Sequence, residues 1–434
     1  MKKGRFVLIL LLCIVVFGLA WMLVVTEKPA EEVQSELIAE AEALIADKIY
    51  IRAETVLDEA VACSDVRRLD AEQLLKVVYQ ALIEDVGYGT KLDNLYAAQL
   101  KRTDLPVSLY FEIADYYFED GDRKQGIQAL RLGSERTGDQ TLVDRYEKER
   151  YSFEISGELY DDLTEVYNGY IQVQRLDLWG LADHMGNIVV PCDYEKISTF
   201  SADQAVVKSG NETFTIDAGN HRLYLLKSAV KDFGNYGNGL IAFQTDAGWV
   251  RGNGEFTMGS MAFEEIGMYN GGYAAAKLNG KWGVIDTNAE WVITPDYDEI
   301  IMDGIGRCWE QNAVFARSGS EVILFIEWQP QQTTYEDAWP FYEEGWAAVK
   351  KDGKWGFIDA QGQLMIPYQY QDARSFGGHL APVLTGEFWG YISRNNQLVI
   401  DDQYYDVRGF VNGVAAAKNM DGWQFLILDE YRED

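Results

Sequence analysis

The dipeptide Trp-Gly stands at Trp179, Trp282, Trp355 and Trp389. Weaker copies of the same surroundings fill the intervals. Trp249 and Trp423 keep the tryptophan without the glycine, Phe214 replaces the tryptophan, and Ile323 marks the place in a further unit. Eight units of about 34 residues result, with one insertion near Arg307 to Asn312. The clearest unit reads Tyr335 to Phe341, Glu344 to Lys350, Gly353 to Asp359 and Gly362 to Pro367. These are short runs of β-branched and aromatic residues cut by Gly, Asn and Asp, which is the pattern of a strand meander. One such meander of three or four strands cannot bury both of its faces, so the units must stack on one another. The recurring aromatic, Trp179, Phe214, Trp249, Trp282, Trp355, Trp389 and Trp423, is then a core plug. The glycine after it marks a place where a neighbouring backbone comes close.

Other residues recur in phase. An aromatic with an acid beside it opens the units at Tyr160-Asp161, Tyr194-Glu195, Tyr297-Asp298, Tyr335-Glu336 and Tyr405-Asp406. An aspartate follows the tryptophan strand at Asp183, Asp217, Asp286 and Asp359, with Gly186 and Gly362 three residues later. Asp-x-x-Gly between two β-runs is a hairpin turn, because Asp bonds its own backbone and Gly accepts a positive φ. Pro191, Pro295 and Pro367 are expected to end strands where no donor is needed. The segments Lys354 to Pro367 and Lys281 to Pro295 closely resemble the WG repeat, and the resemblance runs from about Tyr160 to Asp429. It implies a β-rich repeat module, common in bacterial proteins, and no catalytic residues.

Two further regions precede the repeats. Lys2, Lys3 and Arg5 are followed by the uncharged run Phe6 to Val25. Twenty helical residues cover roughly the 30 Å of a bilayer core, and the positive flank stays cytoplasmic. The expectation is a single uncleaved anchor over residues 1–27, with the bulk extracytoplasmic from about Thr26. A cleaved secretory signal competes, but Trp21 to Val25 continue the apolar run past the small residues Gly18 and Ala20. Cys63, Cys192 and Cys308 are an odd number, and small buried apolar roles are expected of them. From 28 to 150 the apolar residues recur at helical spacing. Leu37, Ala41, Leu44 and Ile45 form one stripe; Ala53, Val56, Leu57 and Ala60 form the next. A third comprises Tyr110, Ile113, Ala114, Tyr117 and Phe118, followed by Gly121-Asp122 and then Ile127, Leu130 and Gly133. Ser108 to Glu135 and Glu36 to Cys63 resemble the tetratricopeptide repeat, which implies a short helical stack that holds protein segments. A purely spacing stalk is the alternative. The fold class expected is therefore α plus β in separate domains: anchor, tetratricopeptide-like stack, and an antiparallel β array over 151–434.

Charge and chemistry narrow the function. The 69 acidic residues against 38 basic ones leave a net charge of −31, and such a surface repels phosphate backbones. His184, His221 and His379 fall at different phases of the repeat and have no partners at metal-ligand spacing. No Gly-x-Ser-x-Gly, phosphate-cradling loop or His-Glu-x-x-His is present. The pairs Asp401-Asp402 and Asp161-Asp162 lack the alternating ligands of a calcium loop. Acids present in every unit are placed by fold geometry, whereas an active site needs singular residues. The expectation is a non-catalytic protein-interaction scaffold without cofactor or metal, held outside the membrane. The alternative is a carbohydrate or cell-wall binding module, with the out-of-phase Trp291, Trp309, Trp328, Trp339 and Trp346 as ligand-facing aromatics.

The ends of the array carry one more expectation. The last unit lacks its Ile-Pro strand, and Tyr151 to Ile155 reads as a strand without a partner. A ring satisfies both, so Tyr151 to Ile155 is expected to pair against Trp423 to Leu428 in a closed, propeller-like arrangement. The alternative is an open β-solenoid capped by the early strand.

Overall fold

The computed structural model describes residues 28–226, 230–342 and 345–432. The run Phe6 to Val25 lies outside them, and no helix among the described residues is long and apolar enough to cross a membrane. The chain divides into two compact units, Met1–Asp120 with Ala129–Val143, and Gly121–Gln128 with Asp144–Asp434. Among the described residues, seven helices are followed by thirty-two short strands: α1 (Ala30–Ala46), α2 (Tyr50–Cys63), α3 (Arg68–Ala81), α4 (Tyr88–Leu100), α5 (Val107–Asp120), α6 (Arg123–Thr137) and α7 (Gln140–Glu149) come first.

In the helical unit, α2 buries Ala53, Val56, Leu57 and Ala60, and α5 buries Tyr110, Ile113, Ala114 and Tyr117. These are the faces their spacing requires. In α1 the buried face is rotated: Ile38 and Ala41 are buried, while Leu37, Leu44 and Ile45 are half-buried. Gln34 takes the remaining place. Its Nε2 donates to the Ala60 carbonyl at 3.0 Å, and its Oε1 accepts from the Arg67 amide at 2.9 Å. The side chain thereby satisfies groups that helix ends leave unpaired. On α6, a Cβ at Gly133 would lie 2.7 Å from Tyr110 Cγ, so glycine is what lets this helix approach α5.

The strands form eight separate four-stranded antiparallel sheets. Seven are consecutive meanders, such as Asp162–Leu163, Tyr170–Arg175, Leu178–Asp183 and Ile188–Tyr194. The eighth joins Asp406–Val407, Val414–Lys418 and Trp423–Leu428 to the early strand Phe153–Ile155. Phe153 faces Leu428, Glu154 faces Ile427 and Ile155 faces Leu426. Tyr160 bridges Trp423, with Tyr160 N–H to Trp423 O at 3.0 Å and the reverse bond at 2.9 Å. The eight sheets are therefore blades of a closed β-propeller, and the open solenoid is excluded.

Among the described residues of the ring, eight core clusters lie between neighbouring blades, and a ninth, Tyr167, Met268 and Ile305, lies at the centre. Val349, Phe315 and Tyr335 pack between the fifth and sixth blades. Val173, Tyr160 and Phe425 pack across the seam between the first and the last. Trp282, Trp355, Trp389, Trp423 and Phe214 are buried as expected; Trp179 and Trp249 are half-buried. Each tryptophan sits on the third strand opposite an aromatic of the outermost strand: Trp179 and Tyr194, Trp282 and Tyr297, Trp355 and Tyr370. The aromatic thus closes the outer strand of the preceding blade rather than opening a new one. Two positions shift by one residue. Val322, not Ile323, opposes Tyr335, and Tyr404, not Tyr405, opposes Trp389. A one-residue shift moves a strand side chain to the other face, and Tyr405 is accordingly 51% exposed.

The glycine after the tryptophan has a direct cause. Between Trp282 and Val284 the outer strand bulges, so that Tyr297 and Ile293 are their partners. A Cβ on Gly283 would then lie 2.3 Å from the Ile293 carbonyl oxygen. Gly180, Gly356 and Gly390 are pressed in the same way by Val190, Ile366 and Ile400. Pro191, Pro295 and Pro367 lie inside the outer strands, at this bulge, and not at strand ends. The ladder is interrupted there, so the missing N–H costs nothing.

Two stability measurements follow. Trp355→Ala should lower the unfolding free energy in urea by about 3–5 kcal/mol, as truncation of a buried tryptophan does. Asp359→Ala, which removes only turn bonds to the Gln361 and Gln363 amides, should cost about 1 kcal/mol. Equal losses at the two positions would contradict this assignment of roles. Gly283→Ala should also destabilise, by about 1–3 kcal/mol. A neutral result in the same titration would mean that the bulge relaxes freely.

Candidate functional site

The recurring acids are occupied by turns. Asp183, Asp286 and Asp359 accept backbone N–H groups two and four residues ahead at 2.8–3.0 Å. Three of the acids beside an aromatic accept from a hairpin glycine N–H of the following blade, Glu195 from Gly210 at 2.9 Å, Asp298 from Gly319 at 2.7 Å and Glu336 from Gly353 at 3.0 Å, while Asp161 accepts from Leu176 N and Asp406 from Arg374. What remains singular lies at the centre of the ring.

The insertion in the fifth blade falls there. Asp303-Gly-Ile-Gly306-Arg307 repeats the Asp-x-x-Gly turn, with Asp303 Oδ1 accepting from Ile305 N at 3.1 Å and from Arg307 N at 2.8 Å. This turn crosses to other blades. Asn235 Nδ2 donates to Ile305 O at 2.9 Å, and Met268 N donates to Gly306 O at 2.9 Å. Arg307 lies over the rings of Tyr342 and Tyr167, 5.2 and 5.9 Å from their centroids. On the other side of the turn Gly304 meets Glu165; a Cβ there would lie 2.7 Å from both carboxylate oxygens. The extra residues therefore form a hairpin plug. They begin at Asp303, ahead of the stretch Arg307 to Asn312 where the sequence places the insertion.

The plug brings together four charged side chains, Asp303 and Glu165 buried, Arg307 and Arg408 half-buried. Asp303 Oδ2 pairs with Arg307 Nε at 2.6 Å. Glu165 lies 3.9 Å from Arg408, which also contacts Asp406 at 3.3 Å. Burial, and then the Asp303 charge, push the Glu165 carboxyl above its ordinary range, against the pull of Arg408 and Arg307. Burial likewise raises the Tyr342 phenol and pushes the Cys308 thiol up to about 12. Cys308 is buried, as expected of it, whereas Cys63 and Cys192 are only partly so; all three are free thiols.

Above the plug is a cavity of about 350 Å³. Turns that precede second strands contribute Asn168, Gly169, Asn238 and Asn412 to its lining. Asn168-Gly169, Asn238-Gly239, Gln311-Asn312 and Asn412-Gly413 all have both residues at positive φ, the geometry that favours Asn-Gly in tight hairpins. Some rim amides clasp neighbouring blades: Asn168 Nδ2 reaches Phe200 O at 3.1 Å, and Asn270 Nδ2 reaches Trp309 O at 2.8 Å and Glu310 Oε2 at 2.9 Å. Among the described residues, Arg307 and Glu310 are the charged residues of the lining. Sequence reasoning passed over this site. Its legible signals were the in-phase Asn-Gly pairs and the Asp303–Gly306 copy of the turn motif inside the insertion.

The five out-of-phase tryptophans are not gathered on an exposed face. Trp309 is buried and stacks on Trp328 at 3.9 Å, with Tyr273 edge-on to both. Trp291 stands edge-on to Phe263 at 5.6 Å. Trp339 donates its indole N–H to the Tyr342 hydroxyl at 3.0 Å, and Trp346 packs against Phe376 at 5.2 Å. Of these, Trp309 lines the cavity. Among the described residues no cluster of His, Cys, Asp and Glu is placed to hold a metal ion.

An eight-bladed propeller with a plugged centre and a polar mouth is the class of protein that the fold defines. The family model described as WG containing repeat matches residues 179–212, 260–282, 282–302, 332–355, 355–387 and 389–423, so the ring carries WG repeats. The unmatched stretches hold Phe214, Trp249 and Val322, where the Trp-Gly pair is lost. A search of the curated proteins finds no match. Among solved structures, the chain is similar to a eukaryotic initiation factor (11% identity, TM-score 0.39, covering 58% of this chain and 79% of the other). It is also similar to Hsv2 of Kluyvelomyces marxianus (10%, 0.34, 60% and 93%). A third likeness is the Pan2 WD40 domain of Neurospora crassa (10%, 0.32, 62% and 89%). None of these distant likenesses bears on function.

The raised carboxyl gives a pH prediction. A carboxyl that holds its proton more tightly in the folded than in the unfolded chain makes stability fall as pH rises, from its ordinary value of 4.5 through the raised one. Glu165→Gln imitates the protonated form. Its urea midpoint should match the wild type at the acid end and exceed it increasingly toward neutral pH. A gap that narrows with rising pH would contradict the assignment.

Proposed function

We propose that this protein is a non-catalytic protein-interaction scaffold, held outside the cytoplasmic membrane by a single uncleaved helix over Phe6 to Val25. In this reading the amino terminus is cytoplasmic, and the tetratricopeptide-like helices and the propeller are extracytoplasmic. One observation carries the proposal: the recurrent side chains are taken up by the fold. The tryptophans fill interfaces between blades, the aspartates bind turn amides, and the glycines admit a bulging strand. What is singular, the mouth above the plug, is a recess without a nucleophile–base pair or metal cluster among the described residues. The packing of Trp291, Trp309, Trp328, Trp339 and Trp346 weighs against the carbohydrate alternative, because stacking on sugars needs open aromatic faces.

Photo-crosslinking in cells tests the proposal. A benzophenone amino acid at Asn168 on the rim, or at Leu223 on an exposed outer strand, should give at least one discrete protein adduct. Adducts with wall polysaccharide alone, or none from either position, would overturn it. Recovery of a mature amino terminus near Trp21 would replace the anchored protein by a secreted one.

A further inference from the structure

The mouth contains a cation that the fold leaves incompletely satisfied. Arg307 spends Nε on Asp303, yet its Nη2 is buried with no hydrogen-bond partner. Buried charged donors are almost always paired, because an unmade bond there forfeits solvation without replacement. The same residue lines the 350 Å³ cavity. On the rim, Asn238 and Asn412 are exposed at φ values of 52° and 50°. A carboxamide offers both a donor and an acceptor, which is what a peptide group requires. Most of the aromatic wall is closed: Trp309 is covered by Trp328, and Phe341 and Phe410 are 3% and 0% exposed, which leaves Tyr431, 39% exposed, as the open ring of the lining.

We propose that this mouth binds an extended segment of a partner protein through one acidic side chain. The partner carboxylate accepts from the part of the Arg307 side chain that stays open, 14% of its surface. The flanking peptide groups are held by the Asn412 carboxamide and by Asn238 Nδ2, the Asn238 Oδ1 being taken by Gly272 N at 3.4 Å. Glu310, tied to Asn270 inside the lining, would repel a second acid. The net charge of −31 would repel an acidic run at longer range. The segment is therefore one with a single Asp or Glu among neutral or basic residues. This deepens the scaffold reading and rests on it.

The test uses the full-length chain in detergent and an array of capped peptides, acetyl-Gly-X-X-X-Gly-amide, with the three central residues varied. The wild type should select Asp or Glu at one position. Exchanging that acid for its amide in the best peptide should weaken binding about tenfold or more. The double variant N238D/N412D should weaken the acidic peptide by about tenfold. Asp tolerates a positive φ much as Asn does, so its melting temperature should be unchanged. Arg307→Gln should abolish the acid preference, but it leaves Asp303 unpaired in the core. Should it fail to fold, the rim variant decides. Selection without an acid preference would overturn the proposal, as would an acid preference unaffected by N238D/N412D, or glycan binding that the rim variant abolishes. Peptide binding that ignores both acid and rim removes this site and leaves the scaffold standing. Absence of peptide binding together with absence of any protein adduct in cells removes both.

Discussion

Each blade of this ring offers its apolar side chains to its neighbours and has almost no interior of its own. Phe357 and Phe376, 4.9 Å apart, belong to consecutive blades, as do Tyr391 and Phe410 at the same separation. A stack of such sheets is satisfied only when no face is left over. Three residues, Phe153 to Ile155, complete the last sheet and bring Tyr160 within 5.4 Å of Phe425. Without that seam the cluster containing Val173, Ala182 and Ile427 would lose one wall, and Trp423–Leu428 would be an exposed edge. The other seven interfaces depend on it through geometry, since a ring that is open at one place is free to spread at all of them.

Inside this frame the polar groups divide into two kinds. Those in phase with the repeat bind backbone: aspartates hold the outer hairpins, and Glu195, Asp298 and Glu336 hold the turns of the next blade. Those out of phase gather at the centre, where Glu165, Asp303, Arg307 and Arg408 meet from three blades. Two carboxylates and two guanidinium groups balance in charge, but burial raises the cost of every ionised form. That explains why Glu165 holds its proton more tightly than usual. It also explains why the plug is built on Gly304: any side chain there would strike the Glu165 carboxylate. The same insertion that closes the centre supplies the arginine and the tryptophan that line the mouth above it.

Much of the fold was legible because its signals are local. Trp-Gly marks a third strand and the bulge beside it, Asp-x-x-Gly marks a hairpin, and the unpaired run Tyr151 to Ile155 marks the missing outer strand of the last sheet. Legibility failed where a signal was degenerate or spatial. In the fifth unit neither tryptophan nor glycine survives, so Ile323 was placed where Val322 stands. The doublet Tyr404-Tyr405 hid which ring faces Trp389. The five out-of-phase tryptophans read as a candidate binding face because spacing along the chain does not say what covers a ring. Trp328 covers Trp309 by way of a turn at the far end of two strands.

The sequence by itself determined the blade, the number of blades and the strand that closes the ring. Each of these is written in hydrogen-bond and packing patterns that are satisfied within one repeat or between adjacent ones. Only the tertiary structure decided where the insertion goes and what it meets. Asp303 and Arg307 are near neighbours in the chain, but Glu165, Tyr342 and Arg408 lie scattered far to either side. They converge because a closed ring brings the inner edges of all its blades to one axis, a condition that no local stretch of sequence can express.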